Sequence, residues 1–217
     1  MELCHVCQEA PAIIEPDGRV LSCKPCDEAR QHDNKRRARA RRFDDAQQAA
    51  GVPPMFRAAR LTDFPKVYHL PVGKSLYLHG SKGVGKTHLL AGILAEGLLS
   101  PDHPLDVKFV VSVDLLAEIK DTFSPGAKQT EEQVFEKYVQ AKILYLDDLG
   151  VEKSSDWVLQ ALYRIINHRY NWMLPTVISS NLSIEELVAK FDDRIASRSA
   201  GMCELIFMTG SNRRLQK

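Results

Sequence analysis

One octapeptide constrains the fold of this chain more than any other feature of its sequence. It matches the pattern G-x-x-x-x-G-K-[ST] in full and reads Gly80-Ser81-Lys82-Gly83-Val84-Gly85-Lys86-Thr87. The pattern is meaningful only between a strand and a helix. Here an apolar run over residues 75–79 precedes it, and a helical pattern over residues 87–99 follows it. The sequence therefore predicts a phosphate-binding loop within an α/β domain.

The residue types of this loop are those that a nucleoside triphosphate requires. Its glycines let backbone N–H groups turn towards phosphate oxygens, and the N-terminus of the following helix adds a partial positive charge. We expect Lys86 to reach the β- and γ-phosphates and the Thr87 hydroxyl to ligate Mg²⁺. We therefore predict an ATP site whose contacts come from Gly80, Lys82, Gly83, Val84, Gly85, Lys86, Thr87 and His88.

A second apolar run ends in paired carboxylates. Residues 143–146, Ile-Leu-Tyr-Leu, favour a buried strand, and Asp147 and Asp148 follow at its carboxyl end, where open α/β sheets bind their ligands. We expect Asp147 to hold Mg²⁺, directly or through water, as the Walker B carboxylate. We expect Asp148 to polarise the attacking water as a general base. The alternative is that both acids cap a helix.

Three polar residues further along are candidates for the same site. Asn181 follows the apolar run 176–180 and can orient the attacking water, although asparagine is also an ordinary turn residue. Arg194 and Arg198 lie four residues apart and so share one face of a predicted helix. Either can act as an arginine finger at the nucleotide of a neighbouring subunit, or form a surface salt bridge with an acid such as Asp192.

Short apolar runs alternate with longer amphipathic ones beyond residue 75. This alternation is typical of a parallel sheet covered by helices, so we predict a three-layer α/β domain with a five-stranded sheet. The predicted strands span residues 75–79, 107–113, 142–146, 176–180 and 204–208. The predicted helices span residues 87–99, 114–120, 131–139, 156–170, 184–190 and 193–199.

Four of the five cysteines form two C-x-x-C pairs near the N-terminus. Fifteen residues separate the pair Cys4 and Cys7 from the pair Cys23 and Cys26. Two such pairs can present four thiolates in a tetrahedron, the arrangement of closed structural zinc sites. We therefore predict a structural Zn²⁺ site here. Two disulfides, idle thiols, or His5 in place of one thiolate are the alternatives.

The segment after the cysteines is strongly basic. Residues 30–42 contain seven basic residues and one acid, and no apolar face repeats at helical spacing. This stretch is predicted to be a solvated helix, or alternatively a contact surface for nucleic acid or a partner. Two prolines after residue 52 end it. We predict a zinc-binding domain over residues 1–28, a basic helical linker over residues 29–50 and an ATPase domain over residues 51–217.

Composition excludes several classes of protein. With 44% hydrophobic and 26% charged residues, the chain is close to the globular average, which argues against wholesale disorder or a fibrous repeat. The net charge of +1 excludes a uniformly basic nucleic-acid binder. No apolar run approaches the ~20 residues that cross a bilayer, and the N-terminus shows no secretory signal. We expect a cytoplasmic protein without membrane contact.

Taken together, these motifs resemble the bacterial and phage helicase loaders of the DnaC/DnaI type, which are AAA+ ATPases close to the IstB transposition helpers. The resemblance begins near Val52. It rests on the octapeptide, on the segments 146–150 and 174–182, and on the ending 194–214. It implies an AAA+ core of the RecA-like (ASCE P-loop) type, with the helical lid absent or minimal.

The resemblance also implies roles for individual residues. By analogy, Asn181 matches sensor 1, Arg198 the arginine finger and Arg214 the sensor 2 arginine. Loaders of this family contact single-stranded DNA with a helical insertion after the second strand, which corresponds here to residues 114–138. The zinc-binding segment favours DnaI-like loaders, since the transposition helpers generally lack one.

The function implied is that of an ATP-dependent loader of the replicative helicase in DNA replication. Its expected partners are a hexameric helicase, single-stranded DNA and further copies of the chain, which associate through the ATP site. Two alternatives stay open at this point. One is a transposition helper ATPase that binds duplex DNA, and the other is a nucleotide-gated adaptor that does not hydrolyse ATP.

Overall fold

The computed structural model of the chain describes residues 3–4, 6–14, 20–64 and 74–213. Two compact units divide the chain: the first comprises Met1–Phe43 and Leu99–Asp102, and the second comprises Asp44–Leu98 and His103–Lys217. The units thus divide inside the predicted linker. The predicted domain boundaries at residues 28 and 50 stay predictions.

The first unit contains a short hairpin and one long helix. Strand β1 (Ile13–Ile14) pairs antiparallel with β2 (Val20–Leu21). Helix α1 (Lys24–Arg41) begins with a proline in its first turn, where the missing N–H leaves no helical bond unmade. None of its residues is buried, as expected for a helix without an apolar face.

The second unit is an α/β domain built on a five-stranded sheet. Every neighbouring pair of strands is parallel, which confirms the predicted architecture. Along the sheet the order is β4 (Val107–Val111), β5 (Ile143–Leu149), β6 (Thr176–Ser180), β3 (Ser75–Gly80) and β7 (Cys203–Met208).

Within the described residues, seven further α-helices accompany the strands. Thr130, Ser155, Ser183 and Asp192 cap the last four of these helices by accepting a backbone N–H bond on their side-chain oxygens. In the described part of the chain no helix is both long and apolar enough to cross a bilayer. The helices are α2 (Phe43–Ala50), α3 (Lys86–Leu99), α4 (Ser112–Asp121), α5 (Glu131–Val139), α6 (Asp156–Asn171), α7 (Ile184–Lys190) and α8 (Asp193–Met202).

The central strands are buried on both faces. Residues 143–146 of β5 and residues 177–178 of β6 are each at most 4% exposed. Burying one such side chain contributes roughly 1.5–3 kcal/mol. Burial on both faces explains why these strands are continuous apolar runs rather than alternating patterns.

Two strand ends differ from the prediction by more than one residue. The strand predicted to end at residue 146 extends to Leu149, because parallel pairing continues through Asp147 opposite Val111 and through Leu149 opposite Ser180. The strand predicted over residues 107–113 ends at Val111, because α4 begins at Ser112. The predicted magnesium ligand Asp147 and the predicted general base Asp148 therefore both lie within β5 rather than after it.

A buried arginine joins the carboxyl end of α6 to the neighbouring strand starts. Arg169 is fully buried, and its guanidinium donates to the carbonyl oxygens of Tyr138, Ala141 and Pro175 and to Oγ1 of Thr176. These bonds satisfy buried carbonyl groups at the end of α5 and just before β5, and they add a second donor to Pro175, whose carbonyl oxygen also accepts from the Leu144 N–H. No sequence motif marks this residue.

Candidate nucleotide site and cysteine cluster

The loop between β3 and α3 has the backbone conformation that its glycines predict. Gly85 has a φ of +100°, in the left-handed region that other residues rarely adopt. A Cβ at Gly80 would lie 2.1 Å from the carbonyl oxygen of Met208, so no side chain fits there. The loop therefore needs glycine at both positions to turn at the sheet edge.

Lys86 connects this loop to β6. It is 5% exposed, and its Nζ donates to the carbonyl oxygens of Gly80 (2.8 Å) and Ser81 (2.9 Å) and to Oδ1 of Asn181 (2.7 Å). These three acceptors are neutral oxygen atoms, and an ammonium group binds an anionic oxygen more strongly. A phosphate oxygen would therefore compete well for the ammonium group.

Thr87 and Asp147 face each other beside the loop. Thr87 Oγ1 donates to Asp147 Oδ1 at 3.2 Å, and the Ser179 hydroxyl donates to the same oxygen. Asp147 is 2% exposed, and burial raises the pKa of its carboxyl group to about 6. Hydroxyl and carboxylate oxygens are ligands that Mg²⁺ prefers, and a cation would offset the cost of the buried charge. The residues present therefore fit a magnesium ion.

Asp148 lies in a different environment from its neighbour. Its φ of +53° is left-handed, and two serines hold its backbone. Its N–H donates to Ser179 Oγ at 3.0 Å, and its carbonyl oxygen accepts from Ser112 Oγ at 2.9 Å. Asp147 is enclosed beside hydroxyl groups, whereas Asp148 is half-buried and lines an open cavity. The two carboxylates can therefore do different work.

A cavity of about 690 Å³ adjoins the loop. This volume lies within the range of small-ligand sites. Eight predicted residues line the cavity: Lys82, Gly83, Gly85, Lys86, Thr87, His88, Asp148 and Asn181. Four lining residues were not predicted: Met55, Phe56, Val151 and Arg213.

Met55 and Phe56 form an apolar wall of the cavity. Both belong to a short 3-10 helix over Pro54–Phe56, and Met55 is 82% exposed. An exposed methionine beside an aromatic ring is a surface on which a nucleotide base can pack. The only sequence signal here is the proline pair that starts the turn.

Arg213 is the arginine that meets the phosphate loop. Its backbone N–H donates to the carbonyl oxygen of Gly83 at 3.0 Å, and its guanidinium lies 4.4 Å from the ring centroid of Phe64. The arginine predicted at this end of the chain, Arg214, lies outside the described residues. The adjacent position in the same basic pair therefore supplies the cavity with a cation.

Arg198 lies on α8 and is not among the cavity-lining residues. Its Nε donates to Asn167 Oδ1 at 2.6 Å, and its guanidinium lies 4.8 Å from the ring centroid of Tyr163. Arg194, one turn earlier, forms a salt bridge with Asp192 at 2.9 Å. The surface salt-bridge alternative therefore applies to Arg194, whereas an amide and an aromatic ring hold Arg198.

The four N-terminal cysteines form one cluster. Their sulfur atoms all lie within 4.8 Å of one another, and the Cys7 and Cys23 sulfurs are 3.6 Å apart. Ligands at ~2.3 Å in a tetrahedron around zinc lie about 3.8 Å from one another. All four are free thiols, so the geometry fits a single metal ion better than two disulfides.

The protonation of these thiols also fits a metal. The backbone N–H of Cys23 donates to Cys4 Sγ at 3.1 Å, and this bond lowers the pKa of Cys4 to about 6. Bonding with Cys23 raises the pKa of Cys26 to about 12. A backbone N–H bond from Glu9 likewise lowers the pKa of Cys7. The cluster thus favours the thiolate form at two positions by itself, and a divalent cation would compensate all four. His5, the alternative ligand, lies outside the described residues.

The family model for IstB-like ATP binding protein matches residues 57–216. The chain belongs to this family. It is 35% identical over 133 residues to the replicative helicase loader DnaI of Bacillus subtilis, an alignment that covers 60% of this chain and 41% of that protein. It is 28% identical over 124 residues to the replicative helicase loader DnaC of Escherichia coli K12, covering 57% of this chain and 49% of that protein.

A solved structure shows the same fold. The crystal structure of DnaI aligns with a TM-score of 0.58 and 27% identity, covering 76% of this chain and 95% of that one. The predicted resemblance to the DnaC/DnaI loaders and the AAA+-type fold are thereby confirmed. The chain spans about half the length of the curated relatives it matches.

Proposed function

We propose that this chain is an ATP-dependent loader of the replicative DNA helicase, with ATP and Mg²⁺ held in the cavity beside the phosphate loop. One observation carries the proposal. The first residues of α3 meet β5 and the residue after β6 there, with Lys86 bonded to Asn181 and Thr87 bonded to Asp147. Membership of an ATP-binding family and similarity to two helicase loaders support it.

The chain's own residues divide the work of hydrolysis. Lys86 and the loop N–H groups bind the phosphates, and Met55 packs against the base. Thr87 and Asp147 would hold Mg²⁺, which when bound neutralises charge on the phosphates. Asn181 orients the attacking water, and Asp148 accepts its proton. Arg213, which lies against the loop, adds a positive charge in the place expected of Arg214.

Arg198 is proposed to act on the site of a neighbouring copy. It does not line the cavity of its own chain, and Asn167 holds its Nε, so we assign its guanidinium to the site of a second subunit. An arginine supplied in trans contributes about 10³-fold or more to the rate of phosphoryl transfer. On this proposal the isolated monomer hydrolyses ATP slowly, and ATP promotes self-association.

The proposed partners are a hexameric replicative helicase and single-stranded DNA, and the proposed place of action is the cytoplasm. The cysteine unit, with Zn²⁺ bound at Cys4, Cys7, Cys23 and Cys26, is proposed as the module that contacts the helicase. Residues 1–28, 29–50 and 51–217 are then the zinc domain, the basic linker and the ATPase domain.

Two substitutions test the ATP site. Lys86→Ala should abolish ATP binding measured by calorimetry, because it removes the phosphate-binding ammonium group. Asp148→Asn should keep binding but lose single-turnover cleavage. Lys137→Ala, which removes a lysine paired with Glu118 on the surface, is the matched control. If neither site variant altered turnover, the site assignment would be wrong. Binding without cleavage in the unsubstituted chain would favour the nucleotide-gated adaptor.

Co-purification tests the partner. The full chain should retain the hexameric replicative helicase in the presence of ATP, and the Cys7→Ser variant should not. Recovery of a transposase in place of the helicase would instead favour a transposition helper.

A further inference from the structure

Helix α1 carries a concentration of positive charge that the fold does not use. Six of the eight residues over positions 35–42 are lysine or arginine, and the other two are alanine. Arg37 pairs with Asp33 at 2.9 Å, and Arg39 donates to the carbonyl oxygen of Ser100. Four others, Lys35, Arg36, Arg41 and Arg42, are exposed and form no ion pair within the described residues.

The charge opposes the stability of the helix that carries it. Lys35 and Arg39 lie four residues apart, as do Arg37 and Arg41, and like charges at this spacing repel each other. Favourable interaction with the C-terminal helix dipole applies only to the last turn, which contains Arg39 and Arg41. The pattern is therefore costly for an isolated helix and favourable beside a polyanion.

The composition of α1 indicates the class of polyanion. Protein interfaces contain a hydrophobic core with aromatic or large aliphatic side chains. Helix α1 has no residue of that kind, because its only apolar members are Pro25, Cys26 and three alanines. Nucleic-acid interfaces are instead polar and positively charged. Five of the six basic residues over positions 35–42 are arginine, whose guanidinium binds phosphate in a bidentate manner.

The segment that the family resemblance assigns to DNA has the opposite charge. Residues 114–138 contain six acidic and three basic side chains. Two of the lysines there are also engaged: Lys137 pairs with Glu118 at 2.7 Å, and Lys120 lies over the ring of Trp157 at 4.8 Å. A segment of net negative charge is a poor surface for a phosphate backbone.

We propose that residues 35–42, the basic end of α1 with its C-cap Arg42, bind the phosphate backbone of nucleic acid without sequence specificity. This surface would hold the DNA of the proposed function. Only the choice of single-stranded DNA as the ligand rests on that function. The contact is electrostatic, so its strength falls with salt in proportion to the number of phosphates neutralised.

The test is a salt titration of binding by the full chain. Fluorescence anisotropy of a labelled oligothymidylate gives the dissociation constant, with a duplex of equal length as a second probe. The variant Lys35→Gln, Arg36→Gln, Arg41→Gln should lower the slope of log K against log salt by about 2 for the single strand. Raising the salt concentration from about 50 to about 200 mM should therefore weaken DNA binding by the unsubstituted chain about 16-fold more than binding by the variant. A larger slope on the duplex would identify double-stranded DNA as the ligand.

Two matched controls separate the loss of this contact from a general loss of positive charge and from a loss of folding. Lys24→Gln, Arg30→Gln, Arg164→Gln removes the same charge from residues that already pair with acids, and it should keep the original slope. The variant Arg36→Lys, Arg41→Lys keeps the charge and should also keep the original slope. An unchanged slope in the Lys35→Gln, Arg36→Gln, Arg41→Gln variant would overturn the proposal. An equal loss of slope in the paired-residue control would overturn it as well. Lys86→Ala should keep the slope, so a failure of the ATP site would be distinguishable.

Discussion

Substituting the buried carboxylate of the proposed magnesium site should stabilise the protein while abolishing the proposed Mg²⁺-dependent hydrolysis. Asp147 is 2% exposed, and the Ser179 and Thr87 hydroxyls both donate to its Oδ1. Asparagine keeps an acceptor oxygen at that position and removes the negative charge. Asp147→Asn should therefore preserve both hydrogen bonds and relieve the cost of burying an ion without a cation.

The magnitude follows from the pKa. Burial raises the pKa of Asp147 from its ordinary 3.8 to about 6, so the native state holds this proton more tightly than the unfolded chain does. Stability therefore falls as pH rises from about 4 to about 6, and by pH 7.5 the loss amounts to about 3 kcal/mol. At pH 5 the carboxyl group is mostly protonated in the native state, and the loss of stability is about half of its value at pH 7.5.

Urea unfolding without added Mg²⁺ or nucleotide measures this effect. The free energy of unfolding of Asp147→Asn should exceed that of the unsubstituted chain by up to about 3 kcal/mol at pH 7.5, and by about half as much at pH 5. Asp121→Asn, at an exposed aspartate, should stay within about 0.5 kcal/mol. Asp147→Asn should also lose Mg²⁺-dependent hydrolysis. A variant less stable than the original, or a gain independent of pH, would refute the reasoning.

Three further predictions concern other parts of the molecule. Asn167→Ala should slow hydrolysis about 10-fold by loosening Arg198. In mixtures with Arg198→Ala chains, this slowing should appear only where the Asn167→Ala chain supplies the arginine finger to the site of its neighbour. Equal slowing in either role would exclude positioning in trans. Cys7→Ser should abolish zinc binding measured by mass spectrometry yet spare ATP binding, because the cluster and the cavity belong to separate compact units. Zinc retained at full stoichiometry would contradict this. Arg169→Met should cost about 3–5 kcal/mol in urea unfolding, since it orphans buried carbonyl oxygens, and a neutral result would show that they re-pair.

The phosphate loop and the sheet could be predicted because their signals are local. A φ of +100° strongly favours glycine, so Gly85 reports its own backbone conformation. The strands at the centre of the sheet were recognised because burial on both faces demands continuous apolar runs. Strand ends were less accurate: β5 continues past residue 146 because Asp147 pairs with Val111 and, after an irregularity in the register, Leu149 pairs with Ser180.

The paired cysteines were equally informative in sequence. Their spacing predicted a four-sulfur cluster, and the sulfur atoms do lie together. What spacing does not encode is the protonation within the cluster, since the lowered pKa of Cys4 depends on the backbone N–H of Cys23, nineteen positions away along the chain.

The sequence by itself determined which residues can bind phosphate and metal, because those chemistries depend on residue type and short spacing. Only the tertiary structure decided which distant groups complete the site. Ser179 reaches Asp147 because β5 and β6 are neighbours, and Arg213 reaches Gly83 because β7 lies beside β3. Such contacts join residues far apart in the chain through the order and register of strands, and no local pattern carries that information.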